Sequence, residues 1–155
     1  MRLTDILQPE CVKVPLEATT KEQAIYELVD LLCGQVGMAC GDQLKQAVWE
    51  RETTRTTGIG HGIAIPHGKC EGVDELRMAI GRTSQPLEFG AIDGKPVDLI
   101  LLLASPVDQT GPHIQALAKI SRMLTDEDFR TSLKQADSGE TLYRLIEQHE
   151  AEATV

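Results

Sequence analysis

The sequence predicts an α/β (α+β) fold in which a single β-sheet is covered by helices on both faces, with the direction of each strand left open. Three observations predict it. Strand-like and helix-like stretches interleave along the whole 155-residue chain instead of segregating into separate blocks. Residues 97–104 form an almost unbroken apolar run, the composition of a strand covered on both faces, and so the candidate for the sheet centre. Helix-start patterns recur between such stretches, each a residue that accepts a capping hydrogen bond followed three positions later by Gln, Asp or Glu. No internal repeat or low-complexity tract divides the chain, so residues 1–149 read as one domain and residues 150–155 as a flexible tail.

Taken in order, residues 11–15 alternate as a short strand. Thr20 with Gln23 then forms a capping box, and Ala24, Ile25, Leu28, Leu31 and Leu32 recur at helical spacing up to Gly34, which offers a left-handed stop. Asp42 can cap a second helix running through Leu44, Val48 and Trp49 to about Arg51. Residues 63–65 are a short strand candidate halted by Pro66, residues 76–83 are another, and Asp93-Gly94 marks a turn. After the central strand and a loop over 105–112, Ile114, Leu117, Ala118, Ile120 and Leu124 give a helical stripe with His113 in its first turn. Thr125 with Asp128 and Asp137 with Glu140 look like caps of two further helices.

Composition excludes several function classes. A formal charge of −9 without any basic stripe repels a polyanion, so no nucleic-acid partner is expected. The longest apolar run falls far short of the roughly 20 residues needed to cross a bilayer, so no membrane span is expected. Residues 1–11 show no secretory-signal pattern, so a cytoplasmic location is expected. Cys11, Cys33, Cys40 and Cys70 are scattered without a Cys-x-x-Cys pair, and read as reduced thiols. Aromatic residues make up only 3% of the chain, so the core must be aliphatic.

The chemistry concentrates in residues 58–69, Gly-Ile-Gly-His-Gly-Ile-Ala-Ile-Pro-His-Gly-Lys. Pro66 fixes its own torsion and pushes Ile65 into an extended conformation, so His67 is presented from a constrained backbone, and Gly68 lets the chain leave sharply. An imidazole of ordinary pKa, about 6.5, is largely neutral near pH 7 and keeps one ring nitrogen free as a nucleophile. Gly58, Gly60 and Gly62 have no side chains to block an approaching phosphate, and their amides can line an anion-binding concavity. Thr57 can hydrogen-bond a phosphoryl oxygen or merely close the loop. Lys69 can attract phosphate or simply be solvated.

Glu52, Ile59-Gly60 and Ile63-Ala64-Ile65-Pro66-His67-Gly68 match every fixed position of a pattern found in enzyme IIA domains of the mannitol/fructose type. Residues 57–60, 62–69, 96–100 and 107–110 extend the likeness over nearly the whole chain, and resemble the nitrogen-regulatory enzyme IIA branch of the bacterial phosphotransferase system. The resemblance implies the mannitol-type IIA fold, with its single mixed β-sheet, and a histidine phosphocarrier, a component of protein-histidine phosphotransfer without small-molecule turnover, cofactor or metal. His67 would be phosphorylated on the ring nitrogen remote from the backbone, with Arg51 and His113 as the other two site residues. The implied donor is a phosphohistidine protein of HPr/NPr type, and the implied regulatory targets include potassium transporters and sensor kinases. A guanidinium can hold two phosphoryl oxygens and an imidazole can donate to a third, which suits a transfer governed by positioning and charge stabilisation. Without the resemblance, Arg51 would read as a helix C-terminal residue worth roughly 0.3–1 kcal/mol against the dipole, and His113 as a solvated helix-start residue. His61 stands where members of the family often carry asparagine, and reads as a loop residue.

Three rival functions are distinguishable. A sugar-specific fructose/mannitol IIA component would share the chemistry and pass phosphate to a IIB domain. A metal-dependent hydrolase would need His61, His67 and His113 to converge with carboxylates, although their spacing matches no usual ligand set. A binding protein would act on its partners without phosphate.

Overall fold

A computed structural model describes residues 1–153. Its strands are Leu7–Leu16 (β1), Gly58–Gly60 (β2), Ile63–Ala64 (β3), His67–Lys69 (β4), Arg77–Leu87 (β5) and Val97–Ser105 (β6), with helices Lys21–Val36 (α1), Gly41–Thr54 (α2), Thr110–Met123 (α3), Glu127–Gln135 (α4) and Gly139–Ala153 (α5). The strands form one sheet in the order β1-β5-β6-β3-β2, and β4 also pairs with β6. The sheet is mixed. β1 runs parallel to β5, and β3 and β4 run parallel to β6, whereas β5–β6 and β2–β3 are antiparallel.

The apolar run becomes the central strand, as its composition predicts. Residues 99–104 are all fully buried, and because successive side chains point to opposite faces, both faces must be covered. Leu103 packs with Leu76 and with Ala116 of α3 in a small cluster of its own, while its neighbours Leu102 and Ala104 belong to the main core. The main core is aliphatic, with Phe89 and Phe129 as its only buried aromatics among the described residues.

β3 and β4 lie end to end along one edge of β6. Ile63 and Ala64 pair with Leu99 and Ile100, and His67, Gly68 and Lys69 pair with Leu103, Ala104 and Ser105. Between them Pro66 has no N–H to contribute to the ladder. Its carbonyl still accepts from Leu103 N–H at 3.0 Å, so the chain stays in register across the break.

Several element ends differ from those predicted. Thr20 caps α1 as expected, accepting from Gln23 N–H at 3.2 Å. The helix, however, runs through Gly34 to a left-handed Gly37, because Val36 beyond Gly34 still packs on the core. Packing of this kind outweighs the roughly 1 kcal/mol a mid-helix glycine costs. α2 starts at Gly41, before Asp42, and continues past Arg51 to Thr54. Asp126 rather than Thr125 caps α4, and Ser138 rather than Asp137 accepts from Thr141 N–H at the start of α5. Thr125 spends its hydroxyl on Arg122 O instead.

The expected tail from residue 150 is also corrected. α5 continues to Ala153, and Glu150 is buried, accepting from Leu3 N–H at 2.5 Å and from Thr4 N–H and Oγ1 at 3.1 Å each. That carboxylate ties the last helix to the 3-10 turn Leu3–Asp5. Residues 154–155 lie outside the described residues.

Candidate functional site

The end of α2 sets up one wall of the site. Arg51 lies in the last turn and donates from Nη1 to Arg55 O at 2.8 Å, satisfying a carbonyl at the helix end. Its neighbour Glu52 points the other way. With its side chain fully buried, it pairs with Lys21 Nζ at 2.8 Å and accepts from Thr57 N–H at 3.1 Å and Thr57 Oγ1 at 2.5 Å. Lys21 also donates to Phe89 O. This clamp fixes where α2 ends and how the chain turns into β2, and gives Glu52, a motif residue without an assigned role, a structural one.

His67 opens β4 and is half-buried. Its Nδ1 lies 2.9 Å from Ile65 O. A carbonyl can only accept, so Nδ1 carries the hydrogen and Nε2 keeps its lone pair. Burial, reinforced by the Arg51 and Lys69 charges, holds the His67 pKa below its usual value against the opposing pull of the Ile65 carbonyl. The ring is therefore neutral near pH 7. Gly68 lets this strand lie flat on α2, since a Cβ there would meet Val48 Cγ2 at 2.9 Å and Val48 N at 3.0 Å. That close approach brings His67 to Arg51.

His113 is delivered by the first turn of α3, and is buried rather than solvated, at 5% exposure. Its ring meets His67 edge-on, with centroids 5.2 Å apart and planes at 63°. Burial first, then the His67 and Lys69 charges, lower its pKa to about 4. Its Nδ1 lies 2.5 Å from the Oγ of Ser105, the fully buried last residue of β6. Lys69 of β4 also reaches α3, donating to Thr110 Oγ1 at 3.0 Å.

Arg51, His67, Lys69 and His113 thus line one open cleft of about 540 Å³. Residues 16 apart on one side of His67 and 46 apart on the other meet because β4 and α3 both adjoin the C-terminal end of β6. A neutral nucleophilic nitrogen flanked by a guanidinium, an ammonium and a second imidazole is suited to receive a dianionic group.

The other candidates lie elsewhere. Thr57 is buried and spent on Glu52, and Gly58 N–H is spent on Thr56 Oγ1. A Cβ on Gly58 would strike Ala91, one on Gly60 would meet Asp93, and one on Gly62 would meet Lys134 and Asp98. The glycine loop is therefore a packed turn facing other side chains, and the expected anion cradle of Thr57, Gly58, Gly60 and Gly62 does not join the cleft. His61 sits in that turn with φ of 58°. Asparagine tolerates this left-handed conformation better than most residues. The His61 N–H donates to Asp93 Oδ2, and the residue lines a separate depression with Lys95, Asp98 and Arg130. Among the described residues no group of three or more His, Cys, Asp or Glu could hold a metal ion. No helix there is long and apolar enough to cross a membrane.

The sequence reading missed the Ile65 carbonyl and Ser105. The only signal for Ser105 was a polar residue closing an otherwise apolar strand, which reads equally well as the start of a loop.

Comparison with known proteins agrees with this geometry. A nitrogen regulatory protein of Klebsiella oxytoca is 37% identical over 149 residues, covering 94% of this chain and 90% of that protein. A fructose-specific EIIA component of Haloferax volcanii is 35% identical over 149 residues, covering 94% and 97%. The crystal structure of the nitrogen regulatory protein IIA-Ntr from Neisseria meningitidis superposes with a TM-score of 0.84 at 32% identity, covering 93% of this chain and 98% of that one. The family model for the phosphoenolpyruvate-dependent sugar phosphotransferase system, EIIA 2, matches residues 5–149. With the family model and relatives of both kinds matching almost end to end, this chain belongs to the type-2 enzyme IIA family of that phosphotransferase system.

Proposed function

We propose that the chain is a histidine phosphocarrier of the nitrogen-related branch, accepting a phosphoryl group on Nε2 of His67 from a phosphohistidine donor of HPr/NPr type. The observation that carries this reading is the Nδ1–H of His67 bound to Ile65 O, which leaves Nε2 as the only nucleophilic nitrogen, facing a cleft with Arg51, Lys69 and His113.

The transfer needs no proton movement within the site. The donor N–P bond breaks as the Nε2–P bond forms, and the donor ring leaves as neutral imidazole. The His67 ring gains the positive charge while keeping its Nδ1 hydrogen, and the bond from that hydrogen to Ile65 O strengthens as the charge develops. Arg51 and His113 stabilise the charge on the equatorial oxygens of a loose transition state, and Lys69 adds attraction. No divalent metal takes part in this step. Phosphorylation then places a charge of about −1.5 to −2 at the mouth of the cleft, which reports to cytoplasmic partners such as potassium transporters or sensor kinases. The second reading, a sugar-specific IIA component handing phosphate to a IIB domain, is supported by the likeness to a fructose-specific relative.

Incubating the purified chain with phosphoenolpyruvate and either the nitrogen or the sugar set of general phosphotransferase proteins tests both readings. Mass spectrometry should find one phosphoryl group added by the nitrogen set and none on His67→Ala. Preferential labelling by the sugar set would favour the second reading. Labelling of His67→Ala, or none of the wild type by either set, would sink the carrier mechanism.

A further inference from the structure

Ser105 has no part in the mechanism above, yet its hydroxyl meets one of the two site histidines. Its backbone is pinned in the sheet, opposite Lys69 in register and accepting from Cys70 N–H at 3.0 Å. The side chain is fully buried, and its hydroxyl lies 2.5 Å from His113 Nδ1. Two arrangements fit that contact. If Nδ1 carried the hydrogen and donated to Oγ, the buried Ser105 O–H would need a second acceptor, and none is present among the described contacts. An orphaned buried donor is penalised. If Ser105 donates to Nδ1, the hydroxyl is satisfied and the ring hydrogen of neutral His113 must reside on Nε2.

We propose that Ser105 is a positioning residue: its hydroxyl donates to His113 Nδ1 and thereby keeps His113 as an Nε2–H donor on the His67 side of the ring. The two histidines then hold opposite tautomers, each set by one partner. A carbonyl, which only accepts, leaves His67 with a free Nε2 lone pair. A buried hydroxyl, which must donate, leaves His113 with an Nε2–H. A phosphoryl group on His67 meets a donor in this arrangement, whereas the other His113 tautomer would turn a lone pair toward its oxygens. The consequence for transfer rests on the phosphocarrier reading, but the tautomer assignment does not.

The test is nitrogen-15 NMR of the ring nitrogens in the full chain, together with the rate of phosphoryl acceptance. Wild type and Ser105→Thr should show the hydrogen on Nε2 of His113 and on Nδ1 of His67. Ser105→Ala should lose the preference at His113 while keeping that at His67, and should accept phosphate about tenfold more slowly, the worth of roughly one hydrogen bond, with rescue by Ser105→Thr. A wild-type spectrum with the hydrogen on Nδ1 of His113 overturns the inference, as does a Ser105→Ala protein with unaltered His113 tautomer and rate. The wild-type spectrum alone decides the assignment if Ser105→Ala does not fold. A chain that shows the assigned tautomers but accepts no phosphate would refute the carrier reading while sustaining the role of Ser105 toward His113.

Discussion

His61 and His67 stand six residues apart in one glycine-rich segment, both beside β6, and the fold gives them opposite surroundings. His61 is exposed in a left-handed turn, its N–H held by Asp93 and its carbonyl by Lys134. Its own backbone, rather than its ring, is what the neighbours engage. His67 is half-buried, with Nδ1 tied to Ile65 O, and lines a cleft with Arg51 and Lys69. The glycines around them are uninformative about which ring is reactive. What separates the two is burial, which keeps the ring neutral, and a fixed partner for Nδ1, which decides the nitrogen left free.

The contrast should be sharpest in the supports of the two regions. Glu52 holds the His67 side through a buried carboxylate shared by Lys21 and Thr57, so Glu52→Ala removes the acceptor of both at once and should cost about 3 kcal/mol in urea unfolding. Asp93→Ala, which removes bonds to His61 N–H and Lys95 N–H at a solvent-exposed turn, should cost far less, because water can replace the lost acceptor. Equal losses would dissolve the distinction between a clamped site and a replaceable turn.

Acid should expose the same difference. His113 has a folded pKa of about 4 against an ordinary value near 6.5. Between those pH values the unfolded chain binds the extra proton, so stability is full above pH 6.5 and falls as pH drops toward 4, by roughly 3 kcal/mol from this residue. His113→Asn should flatten that part of the stability–pH curve relative to wild type. An unaltered slope in His113→Asn would mean that the ring is not held neutral by burial.

The smallest effect belongs to His61 itself. His61→Gly relieves the left-handed strain but adds freedom to the unfolded chain, so thermal unfolding should show a gain of no more than about 1 kcal/mol. Phosphoryl acceptance should stay within twofold of wild type. A tenfold loss would bring His61 back into the site.

Much of the architecture was legible because it depends on neighbours in sequence. Thr20 and Gln23 mark the start of α1 within one turn, and the apolar run over 97–104 could hardly be anything but a buried strand. The misplaced ends share a cause. At 125–126 and 137–138 two capping-competent residues stand side by side, and tertiary packing chooses between them. At Gly34 the local preference for a stop yields to the burial of residues beyond it. The tail misreading is of the same kind, since the partners of Glu150 lie at the opposite end of the chain.

By itself the sequence determined the central strand, the torsional constraint that Pro66 places ahead of His67 and, through its motif, the family, because these are carried by short-range torsion, periodicity and residue identity. The sharp exit expected at Gly68 is instead a strand, His67–Lys69, held in register by β6. Only the tertiary structure decided that Lys69, Arg51 and His113 share a cleft with His67 while the glycine loop faces away. It alone revealed that a carbonyl and a buried serine hydroxyl face the two rings. The reason is physical: which nitrogen is free depends on a partner within 3 Å, and such partners are set by strand register and by the docking of helices on the sheet, relations between distant residues that no local pattern encodes.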